Sequence, residues 1–295
     1  MKTVLIIGGT GFIGKNLTEY LINKNNNYNI LVPTKDQLNA LDEQNVLSYL
    51  KSSHIEIVIM AAIHNPSLSN TKERSNILEY DLRMFYNFEK CKNLYEKMLY
   101  FGSGAEYNKS TNITMVTEDD IGKSLPYNDY GLAKYIIGRH IIHTENIYNL
   151  RVFGLFGKYE NWKTTFISNC CCKAVKGLPL TIRQNVYFDY LWIEDFCRII
   201  EWFIDNKPDY HEYNVTSGRR IELKNIADKV IQTSGKTLPI YICKDGLNNE
   251  YTSSNIRLLS EIGDFNFTSL DNSIKSLYEW YLDNEDMIDI YSLLY

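Results

Sequence analysis

The chain has 295 residues, of which 44% are apolar and 23% are charged, a composition typical of a globular protein with one or two domains. The formal net charge of −5 argues against a nucleic-acid-binding protein, and no apolar run is long enough to span a bilayer. The six cysteines form neither a CxxC pair nor a Cys/His metal spacing, so we expect no metal site. No signal peptide is recognisable after Met1, and we expect a cytoplasmic protein without nucleic-acid or membrane partners.

The first segments of the chain predict a nucleotide site. Residues 3–7 form a short β-branched run typical of a buried strand, glycines follow at positions 8, 11 and 14, and 15–24 predicts an amphipathic helix. A glycine-rich turn between a strand and a helix lets backbone N–H groups approach a pyrophosphate. We therefore expect cofactor contacts along this turn, from Gly8, Thr10, Gly11, Phe12, Ile13 and Gly14.

The end of the second predicted strand, 29–32, bears on the choice of cofactor. NAD sites usually carry Asp or Glu there to bind the ribose 2′-hydroxyl, whereas this chain has Pro33, Thr34 and Lys35. A lysine without that carboxylate suits a 2′-phosphate, so the sequence favours NADP(H), with Lys35 as a contact. NAD(H) stays possible because Asp36 follows, and Lys35 as a solvated surface lysine is an equally good interpretation.

Strands and helices alternate through the amino-terminal half. We expect a helix over 41–50, a strand over 55–62, a helix over 77–96, a strand over 97–101 and a strand over 149–153. This alternation predicts an α/β protein with a doubly wound parallel sheet of the Rossmann type. Ligands of such sheets bind at the carboxyl ends of the strands, where Ser103 follows the fourth strand.

Tyr130 and Lys134 are candidate acid–base residues. They are four residues apart, so on the helix expected over 128–147 they lie on one face. A phenol has an unperturbed pKa of about 10, and a nearby ammonium lowers that pKa. Such a pair moves a proton to or from a substrate oxygen near neutral pH. In a chain with 23 tyrosines such a pair also arises by chance, and the glycine turn supports the catalytic interpretation of it.

Together these motifs resemble the extended short-chain dehydrogenases/reductases, the NAD(P)-dependent epimerases, dehydratases and ketoreductases of nucleotide sugars. The resemblance rests on the glycine turn, on Ser103 four residues before Tyr107, on Pro126 four before Tyr130, and on Tyr130-x-x-x-Lys134. The segments 150–157, 188–195, 213–218 and 278–281 also resemble this family. It implies Ser103, Tyr130 and Lys134 as catalytic residues, and Ala61, Ala62, Tyr130 and Lys134 as further cofactor contacts.

The resemblance also implies a division of the chain. A dinucleotide-binding Rossmann domain is expected over 1–156, with its sheet completed by about 188–205, and a smaller substrate lobe over 157–187 and 209–295. The nucleotide-diphosphate sugar would contact Ser103, Gly104, Ala105 and Arg183, although an exposed Arg183 is an equally good interpretation. A homodimer is implied through the helices over 77–96 and 128–147, with apolar side chains at Leu78, Leu82, Phe85, Tyr86, Ile136, Ile137 and Ile141.

Several positions depart from the family pattern. Gly154 stands where Asn is usual, Phe188 where Arg is usual, and Asp81 where a helix Asn often supports the active site. Gly104-Ala105 replaces the Asp-Glu of the dehydratases, and Ala105 also replaces a cysteine that GDP-fucose synthases use to epimerise carbons beside the keto group.

The sequence favours an NADP(H)-dependent reductase of a 4-keto, 6-deoxy nucleotide sugar, most similar to the GDP-fucose synthase and dTDP-4-dehydrorhamnose reductase branches. It predicts no epimerisation at carbons 3 or 5, because the cysteine is missing and His64 is best interpreted as a loop histidine. A 4-epimerase and a non-catalytic NADP(H)-binding sensor are the alternatives, and the intact Ser103, Tyr130 and Lys134 argue against the sensor.

Overall fold

The computed structural model describes residues 1–24, 27–63 and 76–294, and His64 lies outside them. In chain order the amino-terminal half contains β1 (Lys2–Ile7), α1 (Phe12–Ile22), β2 (Tyr28–Leu31), α2 (Glu43–Ser52), β3 (Ile57–Met60), α3 (Ile77–Glu89), β4 (Lys97–Ser103), β5 (Ile113–Val116), α4 (Asp129–Ile141), β6 (Ile147–Val152) and β7 (Gly154–Phe156). The carboxyl-terminal half contains α5 (Phe166–Val175), β8 (Leu180–Asn185), β9 (Tyr187–Phe188), β10 (Tyr190–Trp192), α6 (Ile193–Asp205), β11 (Glu212–Val215), β12 (Ile221–Glu222), α7 (Leu223–Ser234), β13 (Ile240–Leu247), β14 (Tyr251–Ser253), α8 (Ile256–Ile262) and α9 (Leu270–Asp283).

A central parallel sheet organises the described residues. Six strands lie in the order β11-β6-β4-β3-β1-β2, every pair of neighbours is parallel, and β3 and β6 are buried along their whole length. Burial on both faces is what a parallel sheet covered by crossover helices requires. The predicted α/β fold of the Rossmann type is confirmed.

The two faces of the sheet belong to two apolar cores. In β1, Val4 and Ile6 pack in the core that contains Leu17 of α1 and Phe196 of α6. Leu5 and Ile7 point the other way, into the core that contains Phe85 of α3 and Ile137 of α4. Because successive side chains of a strand point to opposite faces of the sheet, β1 contributes apolar side chains to both layers of helices.

The expected completion of the main sheet by about 188–205 is wrong. The sixth strand is β11, which pairs with β6 in register from Glu212 opposite Asn149. Strand β10 instead pairs with β7 in a separate sheet, and the segment after it forms α6 against α1. Apolar residues of α6 recur at helical spacing, as at Phe196, Ile200 and Ile204, and this period favours a helix over a strand.

Two helices end earlier than predicted, at Glu89 and Ile141. After α3, the Cys91 N–H and the Tyr95 hydroxyl both donate to the Phe88 carbonyl oxygen, each at 3.0 Å, and this turns the chain toward β4. After α4, the Thr144 hydroxyl donates to the Ile141 carbonyl oxygen at 2.7 Å. Bonds to the free carbonyls at a helix end are a common way to stop a helix.

Within the described ranges, the carboxyl-terminal segments add three small sheets beside the main one. These are β7 with β10, β8 with β13, and the order β12-β9-β14-β5. Strand β14 lies between β5 and β9, so it brings a late part of the chain next to the segment that follows β4. No helix among the described residues has both the length and the apolar character needed to cross a bilayer.

Candidate active site

The glycine turn after β1 is packed too tightly for side chains. Gly8 has φ +85°, and a Cβ atom on it would lie 2.7 Å from the Ala62 backbone nitrogen. A Cβ on Gly14 would lie 2.3 Å from the Gly8 carbonyl oxygen. Glycine at both positions therefore lets α1 begin directly against the end of β1, with Ala61 and Ala62 beside the turn. Gly11 caps α1 without a side-chain bond, which leaves N–H groups of the first turn for an anion.

The end of β2 also lies against this turn. A Cβ on Gly9 would lie 2.2 Å from a methyl group of Val32, so the residues that follow Val32 leave the sheet beside the glycines. The Thr34 N–H donates to the Gln37 side-chain oxygen at 2.8 Å and fixes the turn after β2. Lys35 is exposed in this turn, on the same edge of the sheet as the glycines.

Ser103 is held at the carboxyl end of β4 by a short hydrogen-bonded turn. Its Oγ accepts from the Ala105 N–H at 3.1 Å, and its own N–H donates to the Glu106 carboxylate at 3.1 Å. Glu106 is fully buried and is bound by Arg151 and Asn149 of β6. Sequence reasoning missed Glu106 and Arg151. The available signal was Glu106 itself, a charged residue among the buried positions after β4. A fully buried charge needs a partner, and Arg151 is that partner.

Tyr130 and Lys134 lie on the first two turns of α4, whose amino terminus is capped by Asn128 accepting from the Gly131 N–H at 2.8 Å. The Lys134 side chain is only 1% exposed, and its Nζ donates to the Phe101 carbonyl oxygen of β4 at 2.8 Å. The same Nζ lies 5.9 Å from the centroid of the Tyr130 ring. The helix face therefore directs both residues toward the end of β4, where Ser103 lies.

The electrostatics differ from the expectation. Burial lowers the pKa of Lys134 to about 8, although the nearby carboxylates of Asp81 and Glu106 oppose this. Burial raises the pKa of Tyr130, and a hydrogen bond with Ser103 opposes that shift. The net direction of the Tyr130 pKa is thus a rise and not the expected fall, because burial is the largest effect on it. Tyr130 therefore carries its proton at neutral pH and is suited to donate it.

Tyr251 of β14 is a neighbour of Ser103 that sequence reasoning did not identify. A Cβ on Gly104 would lie 2.4 Å from the Tyr251 hydroxyl oxygen and 2.7 Å from the Phe153 ring. Position 104 therefore requires glycine, because side chains from β14 and from the segment after β6 lie too close for a Cβ atom. Ala105, the next residue, is 2% exposed and contributes only a methyl group. No local pattern marks Tyr251, since the pairing of β14 brings it here.

Gly154 and Phe188, two departures from the family pattern, contact one another. A Cβ on Gly154 would lie closest to the Asp189 backbone carbonyl oxygen and 2.8 Å from the Phe188 ring, so both the backbone at Asp189 and that ring require glycine there. The Phe188 ring lies 4.8 Å from the Tyr251 ring between centroids. An aromatic cluster thus occupies the place where an arginine was expected. Arg183 lies on β8 as an exposed side chain, and no ion pair of it is found within the described ranges.

The expected dimer helices bury much of their apolar surface within the single chain. Phe85, Ile137 and Ile141 are each 0% exposed. The remaining side chains named for this surface are half-buried, at Leu78, Leu82, Tyr86 and Ile136. In the part of the chain that the structure describes, no group of three His, Cys, Asp or Glu residues is placed to hold a metal ion.

Comparisons with known proteins bear on the family and the fold of the chain. The profile of the NAD dependent epimerase/dehydratase family matches residues 4–216. The chain is 24% identical, over 94% of its length and 96% of the relative, to an ADP-L-glycero-D-manno-heptose-6-epimerase of Brachyspira hyodysenteriae. The fold is that of a GDP-L-fucose synthetase from Naegleria fowleri (TM-score 0.83, 16% identity, 97% of this chain and 94% of that one). It is also that of a GDP-mannoheptose C4 reductase from Campylobacter jejuni with NADP bound (TM-score 0.78, 18% identity, 95% and 98%).

Proposed function

The chain belongs to the NAD-dependent epimerase/dehydratase family, and on that premise we propose that it is an NADP(H)-dependent reductase of a 4-keto, 6-deoxy nucleotide sugar. The observation that carries the proposal is the convergence of Ser103, Tyr130 and Lys134 at the end of β4, with Tyr130 in its protonated form. A protonated phenol is the group that a carbonyl reduction needs, since the oxygen gains a proton as the carbon gains a hydride.

Each residue of the site has a distinct task in this reaction. When bound, the reduced nicotinamide supplies the hydride. Tyr130 donates its proton to the carbonyl oxygen of the sugar, and the Ser103 hydroxyl donates a hydrogen bond to the same oxygen. Lys134 is fixed by the Phe101 carbonyl oxygen, and its positive charge stabilises the phenolate that remains after the proton leaves.

The cofactor site is proposed on the glycine turn, with the pyrophosphate at the amino terminus of α1. The proposed contacts are Gly8, Thr10, Gly11, Phe12, Ile13 and Gly14, with Ala61 and Ala62 beside them. The close approach of the Ala62 backbone to Gly8 supports this placement. Lys35 would contact a 2′-phosphate, which is the reason to favour NADP(H) over NAD(H). The named Campylobacter jejuni reductase has NADP bound, which agrees with this choice.

One feature favours reduction over elimination and over epimerisation beside the keto group. Gly104 and Ala105 carry no acid or base, so neither elimination of water nor proton exchange beside the keto group has a residue there. A 4-epimerase is the second candidate, because it uses the same three residues and because the named curated relative is an epimerase of another sugar position.

The substrate lobe is proposed to comprise 157–187 and most of the chain after β11, with the diphosphate near Arg183 on β8. The Phe188 ring stands where the family usually has a cation, so Arg183 is the residue proposed for this contact. A homodimer through α3 and α4 is also proposed, with the half-buried Leu78, Leu82, Tyr86 and Ile136 as its apolar contacts.

The experiment follows NADPH absorbance with GDP-, dTDP-, CDP- and UDP-linked 4-keto-6-deoxy sugars, with the Tyr130→Phe variant as control. Oxidation of NADPH by the wild type with one of these sugars, and its loss in Tyr130→Phe, supports the proposal. In a parallel assay with the corresponding 4-hydroxy nucleotide sugars, interconversion of the two epimers at carbon 4 without net NADPH oxidation would replace it with the epimerase. Cofactor binding without turnover of any sugar would favour the sensor.

A further inference from the structure

Lys109 places an ammonium group beside the proposed reaction site. The residue follows the turn that begins at Ser103, and its Nζ lies 4.2 Å from the centroid of the Tyr251 ring. The hydroxyl of that ring is the nearest group to the position that a Cβ on Gly104 would take. The ammonium is therefore separated from the residue next to Ser103 by the width of a phenol ring.

This ammonium has no counter-ion in the part of the chain that the structure describes. No ion pair or hydrogen bond of the Lys109 Nζ is found there, and the Tyr251 ring is its neighbour. Burial lowers the pKa of the ammonium, although the residue is exposed to solvent. A charge that protein atoms surround and that water still reaches lies in an open cleft. The cation–π contact orients the ammonium but leaves its N–H donors available.

The loop around Lys109 is fixed by hydrogen bonds on both sides. Asn108 has φ +65°, and its side chain donates to the Ser124 hydroxyl at 2.8 Å and accepts from the Ser110 hydroxyl at 2.7 Å. The Asn249 side chain donates to the Ser110 carbonyl oxygen at 2.8 Å, which joins the loop to the segment before β14. A cation held in this way loses less conformational entropy on binding an anion than a free surface lysine does.

The separation from the reacting oxygen indicates which anion this cation meets. In a pyranose, carbons 1 and 4 lie on opposite sides of the ring, so the phosphate on carbon 1 lies one sugar ring away from the oxygen on carbon 4. The Lys109 ammonium lies a similar distance, one phenol ring, from the turn at Ser103. The Phe188 ring, 4.8 Å from the Tyr251 ring between centroids, is neutral and adds no positive charge there. An ammonium binds phosphate oxygens as a point charge.

On the premise of the proposed reductase, we propose that Lys109 binds the phosphate group that carries the sugar in the nucleotide-diphosphate sugar. Lys109 then shares the diphosphate with Arg183 of β8, the residue proposed for that contact. The Tyr251 ring holds the ammonium in the cleft, and the rings of Phe153 and Phe188 support it at 5.0 and 4.8 Å between centroids.

The first arm of the test measures binding and needs no turnover. GDP, dTDP, CDP and UDP are titrated calorimetrically into the protein with saturating NADP⁺, which keeps these nucleotides out of the cofactor site. Lys109→Met should raise the Kd of the nucleotide that binds by about ten- to hundredfold, the range of one hydrogen bond to a charged group. Lys109→Arg keeps the charge and should bind within about threefold of the wild type. The matching nucleoside monophosphate lacks the phosphate that carries the sugar and should bind wild type and Lys109→Met equally.

Lys24→Met is the matched control. Its ammonium also lies over a tyrosine ring, 4.7 Å from the centroid of Tyr20, but just after the carboxyl end of α1, away from the glycine turn. This substitution should leave Kd unchanged, and circular dichroism should show the wild-type fold for each variant. An equal Kd for wild type and Lys109→Met, or an equal rise in Lys24→Met, would overturn the inference and leave the reductase standing.

The second arm measures turnover of the sugar identified in the NADPH assay. Lys109→Met should raise KM by about ten- to hundredfold and keep kcat within about threefold, because a contact with the phosphate is made equally in the ground state and the transition state. A fall in kcat at unchanged KM would contradict the binding role. Weaker nucleotide binding in Lys109→Met, without reduction of any sugar by the wild type, would support the inference and refute the reductase. A wild type that binds none of the four nucleotides would refute both.

Discussion

Replacing Lys134 by methionine should stabilise the protein while it removes the function. The Lys134 side chain is 1% exposed, and its pKa falls from 10.5 to about 8 because burial disfavours the charged form. That fall corresponds to a cost of about 3 kcal/mol in the free energy of unfolding. Methionine has a similar length and carries no charge, so it avoids this cost.

The sign of the pH dependence makes the prediction specific. Between about pH 8 and pH 10.5 the unfolded state binds more protons at this lysine than the folded state does, so the stability of the wild type rises with pH. The Lys134→Met variant lacks this pH-dependent contribution to stability. The difference in free energy of unfolding between the variant and the wild type should therefore shrink by about 3 kcal/mol from neutral pH to above pH 10. Loss of the hydrogen bond to Phe101 also changes the stability of the variant, but by an amount that does not depend on pH.

The assay is urea unfolding of both proteins at a series of pH values, followed by circular dichroism. Lys97→Met is the matched control, because burial also lowers the pKa of Lys97 to about 8, and its Nζ donates to the Phe203 carbonyl oxygen at 2.6 Å, away from the site. It should show the same trend with pH and keep cofactor binding. A stability difference for Lys134→Met that is constant over this pH range would refute the reasoning about the buried ammonium.

Three further outcomes are expected. Tyr130→Phe should lower kcat by about 10²–10⁴-fold and largely keep cofactor binding, and near-normal turnover would remove Tyr130 from the mechanism. Lys35→Ala should raise the dissociation constant of NADPH more than that of NADH, and equal or tighter binding of NADH by the wild type would contradict the choice of cofactor. Light scattering at micromolar concentration should give a dimer, and a 34.4 kDa species alone would refute the α3–α4 contact.

The fold and the cofactor turn were predictable because their signals are local. Gly8 directly follows the first strand and Gly14 lies in the first turn of the helix, and a period of two or 3.6 identifies those elements within a few residues. The Tyr130–Lys134 spacing is local as well. The identity of the sixth strand was not predictable in this way, since the choice between α6 and β11 depends on which segment reaches β6.

The surroundings of Ser103 depend on contacts between distant parts of the chain. Glu106 is fixed by Arg151, and Tyr251 arrives on a strand that pairs with β5 and β9. The direction of the shift in the Tyr130 pKa also depends on contacts between distant parts of the chain. Sequence spacing predicts an ammonium nearby, but the burial that dominates the pKa is a property of the folded chain.

The most direct test of the proposed reduction uses NADPH that carries deuterium in the transferable position of the nicotinamide. With a 4-keto-6-deoxy nucleotide sugar in ordinary water, we expect one deuterium at carbon 4 of the product, read by NMR, and unchanged configuration at carbons 3 and 5. In deuterated water with unlabelled NADPH, carbons 3 and 5 should take up no deuterium, because Ala105 cannot transfer a proton. Product without deuterium from the cofactor would contradict the reductase. Solvent deuterium at carbon 3 or 5 would show that another residue supplies an acid–base pair, and an epimerase-reductase would then replace the simple reductase.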